Sequence, residues 1–391
     1  MNFLNEANKI KDQLITWRRD FHSHPELDYE LFRTNEKIKA FLDSEGIEYK
    51  VIAKTGICAI IKGANPGKIV ALRGDMDALP LQEENKCDYA SKVNGKMHAC
   101  GHDAHTTILM GAAKLLNSVK SELNGNIKLF FEPAEETTGG ARLMIAEGAL
   151  ENPKVDAVIG LHVEEAIEVG NIGVKKGVVN AASNPFTIKI KGKGGHGAHP
   201  DVTVDPVVIS CNVVNALQTI ISRELPPVSP GVVTIGYIHG GTAQNIIPEE
   251  VKIGGIIRTM KTEHRVYVQK RLREITEGIV TSMRGSCEIE IEESYPCLYN
   301  DDKILDIVKS SAEEVIGKEK INILENPSMG VESFAYFSLE RPSAFYYLGC
   351  RNEEKGIVNP AHGSLFDVDE GCIPIGVAIQ CTAAVRMLKE L

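Results

Sequence analysis

The chain has 391 residues and a formal net charge of −10, with 25% charged and 43% hydrophobic residues. Chains longer than about 250–300 residues usually divide into domains, so we expect two. The acidic balance and the lack of a Lys/Arg stripe interleaved with aromatic residues argue against a nucleic-acid partner. No apolar run reaches the roughly 18 residues of a membrane span, so we expect no membrane partner.

The nine cysteines are scattered, and several lie in apolar runs, such as Cys58, Cys211 and Cys381. This pattern predicts reduced thiols in the core of a cytoplasmic protein and not a disulfide framework. Residues 1–6 lack the basic and apolar regions of a secretory signal, so we expect no such signal here.

Helices and strands alternate along the first half of the chain. Apolar residues at helical spacing predict one amphipathic helix over 5–23, and a second helix is expected over 31–45. His22 and His24 lie at the end of the first helix and could be metal ligands, but we favour a polar helix end without a metal role. Short apolar runs then predict buried strands, which are 57–61, 69–72, 127–131 and 157–161, with a helix over 104–116. This succession indicates an α/β domain with a mostly parallel sheet, where ligands bind beyond the carboxyl ends of the strands.

Metal-ligand side chains stand close together in the segment Met97–His105, where Cys100 and His102 are two residues apart. Thiolate and imidazole are preferred ligands of Zn²⁺-like ions. Other side chains of this kind follow apolar runs elsewhere, and they are Glu135, Glu136, His162 and His362. Alone, His162 would be typical of a hydrogen-bonded core residue and His362 of a loop. Their shared position at strand ends favours one metal site instead.

Five mixed Cys, His and Glu ligands exceed what one tetrahedral ion needs, so the sequence predicts two divalent ions sharing a water nucleophile. Zn²⁺ and Mn²⁺ are the preferred candidates, with Co²⁺ and Ni²⁺ as alternatives. Of the adjacent carboxylates, Glu136 is expected to bind metal while Glu135 accepts the proton of the water as general base. Asp77 is expected to support a ligand histidine, and Asp75 is a less favoured candidate for that role. Such a site suits amide hydrolysis.

Near residue 181 the continuous apolar runs give way to alternating apolar and polar residues, which predicts a second, inserted domain. Its predicted elements are strands 186–190, 231–238, 251–258 and 287–291 and helices 207–221 and 265–283. The order β-α-β-β-α-β matches the ferredoxin-like unit. We therefore divide the chain into an N-terminal catalytic segment (1–180), an inserted α+β domain (181–294) and a C-terminal catalytic segment (295–391). The C-terminal segment has predicted helices over 305–316 and 373–391 and a strand over 344–348.

Three polar side chains of the inserted domain are candidates for substrate contact. His196 lies in a Gly-rich turn and is placed to donate a hydrogen bond to an oxyanion, and Asn245 lies in a second turn. Arg258 ends a strand, and its guanidinium suits a carboxylate. Composition alone favours a structural role for each of the three.

These motifs together resemble the M20 metallopeptidases. The similar branch is the amidohydrolases, which include aminoacylases, hippurate hydrolases, auxin-conjugate hydrolases and N-acetyldiaminopimelate deacetylases. The resemblance spans nearly the whole chain and is carried by Arg18–Glu26, Arg73–Pro80, Met97–His105, Glu132–Glu136, Gly139–Ala141, Gly160–His162, Gly194–Pro200, Gly240–Pro248, Arg258–Thr259 and Asn359–His362.

The resemblance implies a two-metal catalytic domain interrupted by a lid domain that usually dimerises. By motif, the ligands are Cys100, His102, Glu136, His162 and His362. Glu135 is then the general base, and Asp77 supports the ligands. His196 and Asn245 complete the oxyanion and substrate contacts, in related enzymes from the partner subunit, while Arg258 binds the substrate's α-carboxylate. We expect a homodimer through the inserted domain, whose helix 207–221 carries few charges.

One motif departs from the family pattern. The family usually has Gly-Ser-Glu-Asp-Phe where this chain has Gly330–Phe334, so Glu332 matches while Val331 and Ser333 differ. We expect this difference to affect fine substrate preference and not the metal site.

The predicted function is hydrolysis of the amide bond of N-acyl amino acids, N-acetyl or N-aroyl, to a carboxylic acid and a free amino acid. A metallo-carboxypeptidase or dipeptidase acting on short peptides is the first alternative. A catalytically silent protein that binds metal or ligand is the second, although such a protein would not need Glu135.

Overall fold

The computed structural model describes all 391 residues. Its ten α-helices are α1 (Phe3–Lys9), α2 (Lys11–His22), α3 (Phe32–Glu45), α4 (His102–Ser118), α5 (Gly140–Ala146), α6 (Pro206–Thr219), α7 (Thr262–Ser282), α8 (Asp302–Ile316), α9 (Ala335–Glu340) and α10 (Cys372–Glu390).

Sixteen strands accompany these helices, and most of them belong to two larger sheets. They are β1 (Glu48–Ile52), β2 (Gly56–Lys62), β3 (Asn65–Asp75), β4 (Asn124–Glu132), β5 (Ala157–Glu168), β6 (Ile172–Val174), β7 (Gly177–Asn180), β8 (Ala182–Lys191), β9 (Gly195–His196), β10 (Gly231–Gly240), β11 (Ile246–Ile247), β12 (Glu250–Thr259), β13 (Ser286–Ile291), β14 (Leu298–Asn300), β15 (Ile321–Ile323) and β16 (Ser343–Arg351).

The chain forms two compact units. The first comprises Met1–Val179, Tyr299–Pro327 and Glu332–Leu391, and the second comprises Asn180–Leu298 and Ser328–Val331. The sequence places the boundaries at residues 180 and 294, and the short segment Ser328–Val331 has no counterpart in that prediction.

The first unit is built on an eight-stranded sheet in the order β1-β2-β4-β3-β5-β16-β6-β15. Four of its seven neighbouring pairs run parallel, including β3 with both β4 and β5. The inner strands β3, β4 and β5 are buried over long stretches, as their continuous apolar runs predict. The predicted α/β class with a mostly parallel sheet is therefore confirmed.

Helices α4 and α10 form the centre of the first unit's core. Gly111 of α4 permits their close approach, because a Cβ there would lie 2.7 Å from Cγ2 of Val377 in α10. By length and composition, α10 is apolar enough to cross a membrane, and 72% of its most apolar stretch is buried inside the protein. The apolar side chains of α10 therefore pack in the core of the first unit.

Several sequence predictions need correction. The predicted helix over 5–23 is two helices, α1 and α2, which meet at Ile10. The strand predicted to end at residue 161 continues to Glu168, because a polar residue such as His162 or Glu164 can occupy its half-exposed face. Cys211 is exposed on α6 and is not a core thiol, because the buried face of α6 is formed by other residues, such as Ile209 and Val213.

The second unit has its own sheet and core. Its four strands pair antiparallel in the order β10-β12-β8-β13. Helices α6 and α7 supply apolar side chains such as Val213 and Leu272, which pack with Ile188 and Ile253 of the sheet. The alternating burial along β8 follows from a sheet with one covered face.

The capping of α8 gives a test of local stability in the first unit. The Asp301 carboxylate accepts a hydrogen bond from the backbone N–H of Ile304 at 3.0 Å. Asp301→Ala removes this acceptor, so we expect the free energy of unfolding to fall by about 1 kcal/mol in urea denaturation. Asp301→Asn keeps an acceptor and serves as the control; equal losses in both variants would contradict the capping role.

Candidate metal centre

The first ligand-type side chains flank a glycine at the start of α4. Gly101 has φ 90°, a left-handed conformation that favours glycine, and it separates Cys100 from His102. A Cβ at residue 101 would lie only 2.2 Å from Cγ2 of Val163. The local chain path that presents both side chains therefore depends on this glycine.

All five predicted ligands, together with Glu135, converge in the first unit. Their ligand atoms form overlapping groups within 4.8 Å, which are Cys100/His102/His162, Cys100/Glu136/His362 and His102/Glu135/Glu136. The Sγ of Cys100 lies 3.3 Å from Nε2 of His162. Oε1 of Glu136 lies 3.3 Å from Nε2 of His362 and 3.8 Å from Nε2 of His102. Residues far apart in sequence thus share one small volume.

The polar atoms of this cluster fit a bound divalent ion. Both ring nitrogens of His102 and Oε1 of Glu136 are buried and have no hydrogen-bond partner in the protein. Buried polar atoms without partners are rare because their desolvation is not compensated. A thiolate, imidazoles and a carboxylate form a donor set that suits a borderline transition-metal ion.

Asp77 fixes the loop that carries the two glutamates. Its Oδ1 accepts the N–H of Glu135 at 2.9 Å, and its Oδ2 accepts the N–H of Glu136 at 3.1 Å. The same Oδ1 lies 3.4 Å from Nδ1 of His102. Ala134, just before the pair, has φ 54° and turns the chain sharply after β4. One carboxylate therefore orients both glutamates and faces a ligand histidine.

The other two histidines are held by backbone contacts. His162 lies within β5, and its Nδ1–H donates to the carbonyl of Val163 at 2.5 Å, which leaves Nε2 facing Cys100. His362 has φ 63°, and its backbone N–H donates to the carbonyl of Ala99 at 2.7 Å. This second contact ties the late loop to the segment before Cys100.

The two adjacent glutamates have opposite electrostatics. Burial and the charges of Glu332 and Glu136 raise the pKa of Glu135 well above its usual range. Burial alone would also raise the pKa of Glu136, but the nearby rings of His362 and His102 outweigh it and lower that pKa to about 2. A carboxylate with a raised pKa is suited to accept a proton, whereas an ionised one is suited to hold a cation.

Residues near the centre that the sequence did not single out include Glu132 and the backbone of Ser333. The N–H of Ser333 donates to Oε1 of Glu135 at 2.9 Å, and its hydroxyl contacts Glu132. Ser333 is thus buried against the predicted base, although the sequence links this position to substrate preference. The only sequence feature that pointed to Ser333 was its position in the Gly330–Phe334 motif.

His22 lies outside the ligand groups. Its ring is buried, with Nδ1 2.7 Å from Asp103 and Nε2 3.2 Å from Glu83. Nδ1 of His24 donates to the backbone carbonyl of Asp20 at 2.8 Å. Protein groups therefore account for the contacts of both histidines.

The second unit brings two of its three predicted residues together. His196 of β9 pairs with Ile246 of β11, directly after Asn245, and the N–H of Gly197 donates to the carbonyl of Asn245 at 2.8 Å. Arg258 lies in β12, where its side chain is half-buried and Nη1 has no hydrogen-bond partner. Burial lowers the pKa of this guanidinium.

Comparison with known proteins identifies the family. Residues 71–386 match the sequence pattern of peptidase family M20/M25/M40. The chain belongs to this family. The similar proteins are named as hydrolases, deacetylases and carboxypeptidases. By its membership of the family, this chain is a metal-dependent amidohydrolase.

Similar proteins cover the chain nearly end to end. IAA-amino acid hydrolase ILR1-like 4 of Arabidopsis thaliana is 39% identical over 99% of this chain and 88% of its own length. Thermostable carboxypeptidase 1 of Saccharolobus solfataricus is 37% identical over 99% and 98%. A Bacillus subtilis crystal structure, described as a dinuclear metal binding peptidase from the M20 family, matches with TM-score 0.84 and 33% identity over 98% and 100%.

The role of Gly101 in presenting the ligands can be tested. Gly101→Ala forces a methyl group against Val163 in a left-handed conformation that costs about 1–2 kcal/mol for other residues. We expect weaker Mn²⁺ binding by calorimetry, because Cys100 and His102 must shift. Gly95→Ala is the matched control, since Gly95 also has positive φ, at 71°, but open space around it. Equal Mn²⁺ affinity in both variants would contradict this role.

Proposed function

We propose that this M20 enzyme hydrolyses the amide bond of N-acyl amino acids, with N-acetyl or N-aroyl groups as the acyl part. The observation that carries the proposal is the placement of Glu135. Its buried carboxylate shares a group within 4.8 Å with His102 and Glu136, and its pKa is raised. A proton acceptor beside a ligand set is what hydrolysis requires and what simple binding does not.

Cys100, His102, Glu136, His162 and His362 would hold two divalent ions, with Zn²⁺ and Mn²⁺ as the preferred candidates. When bound, the ions supply positive charge that acidifies water and polarises a carbonyl oxygen. The chain's own part is to hold the ligands rigidly. Asp77 does so by fixing the backbone of Glu135 and Glu136 and by facing His102.

In the proposed reaction Glu135 accepts the proton of the attacking water and later gives it to the leaving amine. The hydrogen bond from the N–H of Ser333 to Oε1 of Glu135 restricts the carboxylate to one orientation. Restricting a reactive group in this way lowers the entropy lost on reaching the transition state.

The second unit would recognise the substrate. Arg258 forms no ion pair within the chain, and its half-buried guanidinium retains an unpaired Nη1, which supports a role in binding a carboxylate. His196 and Asn245 adjoin each other through the β9–β11 ribbon, which supports a shared role at the oxyanion.

We also propose a cytoplasmic homodimer formed through the second unit. Strand β10 is an unpaired sheet edge that exposes Tyr237 and Ile238, and α6 exposes Val207 and Val208. Unpaired edges and apolar patches are typical of surfaces that another chain covers. None of the nine cysteines forms a disulfide, which supports a reducing compartment.

A carboxypeptidase or dipeptidase acting on short peptides remains the second candidate. It is favoured by the 37% identity to thermostable carboxypeptidase 1 over nearly the whole chain. Both activities cleave an amide next to a carboxylate-bearing residue, so Arg258 would serve either one.

A substrate panel separates the candidates. Release of free amino acid would be measured from N-acetyl and N-benzoyl amino acids and from dipeptides, with Mn²⁺, Zn²⁺ or chelator present. We expect turnover of the N-acyl substrates that chelator removes and metal restores. Faster cleavage of dipeptides would support the carboxypeptidase, and no turnover in a protein that binds two ions would support a silent binding protein.

Replacing the proposed base tests the mechanism directly. Glu135→Gln keeps the side-chain shape but cannot accept the proton, so we expect kcat to fall by about 10²–10⁴-fold while Mn²⁺ content stays unchanged. Glu147→Gln is the control, because Oε2 of Glu147 accepts the N–H of Ala53 outside the metal centre. Unaltered kcat in Glu135→Gln would contradict the assignment of the base.

A further inference from the structure

A buried guanidinium lies behind the metal centre. Arg73, near the end of β3, is fully buried and contacts three carboxylates. Its Nη1 lies 2.7 Å from Oδ2 of Asp75, its Nε donates to Oε2 of Glu132 at 2.6 Å, and its Nη2 lies 2.9 Å from Oε1 of Glu332. None of these four side chains belongs to the five proposed ligands.

One branch of this cluster leads to the proposed base. Oε1 of Glu332 contacts Arg73 and also accepts the N–H of Phe334 at 2.8 Å, which fixes the short loop before α9. The residue between them, Ser333, donates its N–H to Oε1 of Glu135 at 2.9 Å. Through Glu332, Arg73 therefore restrains the loop whose Ser333 N–H donates a hydrogen bond to Glu135.

The other branch leads to a ligand histidine. Oδ1 of Asp75 accepts Nδ1–H of His105 at 2.6 Å. With its proton on Nδ1, His105 accepts the N–H of Val163 at Nε2, at 2.8 Å. Val163 directly follows the ligand His162, and the rings of His105 and His162 lie 4.6 Å apart edge to face. Arg73 and Asp75, through His105, thus fix the backbone of β5 next to His162.

We propose that Arg73 is a positioning residue that sets the proposed base through Glu332 and the ligand strand through Asp75 and His105. The inference rests on the proposed function in its assignment of Glu135. Backbone pairing already joins β3 to β4 and β5, so the sheet does not need the guanidinium to hold its strands together. Buried ion clusters contribute little to stability compared with apolar packing, which favours a role in geometry.

The two branches predict different losses. Glu332→Ala frees the loop, so kcat should fall by about 10²-fold at saturating Mn²⁺ with little change in KM or Mn²⁺ affinity. Glu332→Gln should retain more activity than Glu332→Ala, because its amide oxygen still accepts from Arg73 and Phe334. His105→Ala should weaken Mn²⁺ binding about 10–100-fold, with kcat recovering in excess Mn²⁺. Arg73→Lys should show both losses.

Lys128→Met is the control for loss of a buried cation. Nζ of Lys128 donates only to the backbone carbonyls of Ala149 and Glu151, at 2.8 and 2.7 Å. This variant should melt at a lower temperature without a change in kcat or Mn²⁺ affinity. The measurements are steady-state kinetics with the best N-acyl substrate, Mn²⁺ calorimetry and thermal unfolding on the full chain.

Two results would overturn the inference. One is a Glu332→Ala variant with the kcat of the Lys128→Met control, and the other is a His105→Ala variant with wild-type Mn²⁺ affinity. If Arg73→Lys does not fold, Glu332→Ala and His105→Ala decide the matter, because both keep the guanidinium. A wild-type protein without turnover would contradict the proposed function and the branch to Glu135, while the Mn²⁺ affinity of His105→Ala would still decide the branch to His162.

Discussion

The parallel pairing of β3 with β4 and β5 is the constraint on which the metal centre depends. Because all three strands run in the same direction, their carboxyl ends meet at one edge, where Asp75 lies opposite Glu132. Asp77 and the Glu135–Glu136 pair follow directly beyond that edge, and His162 projects from β5 beside them. Backbone hydrogen bonding between the strands thus brings together side chains from three separate segments.

Concentrating acids and imidazoles in a buried volume carries a desolvation cost, and the first unit offsets it with specific partners. Asp77 receives two backbone N–H groups, and Arg73 faces three carboxylates. Both ring nitrogens of His102 and Oε1 of Glu136 instead make no hydrogen bond within the protein. Because Asp77 and the carboxylates around Arg73 are already paired, the remaining donor atoms define where a cation fits.

The surroundings of Glu135 and Glu136 suit these adjacent residues to different roles. Glu136 lies among histidine rings that stabilise its charge, whereas Glu135 faces Glu332 and has a raised pKa. Identical side chains therefore differ in proton affinity because of their neighbours alone. Membership of the M20 family fits this division of roles between the two glutamates.

Local sequence determined the α/β class, the short-range motifs and the family. Cys100 with His102, and Glu135 with Glu136, are close along the chain, and their positions beside predicted strand ends led to the prediction of one metal site. Only the tertiary structure decided the break at Ile10, the continuation of β5 past His162, and the contacts of Arg73. Glu135 meets Ser333 across 198 residues of sequence. Such contacts leave no periodic pattern in either segment, because they are set by how the sheet, the late loop and α9 pack together.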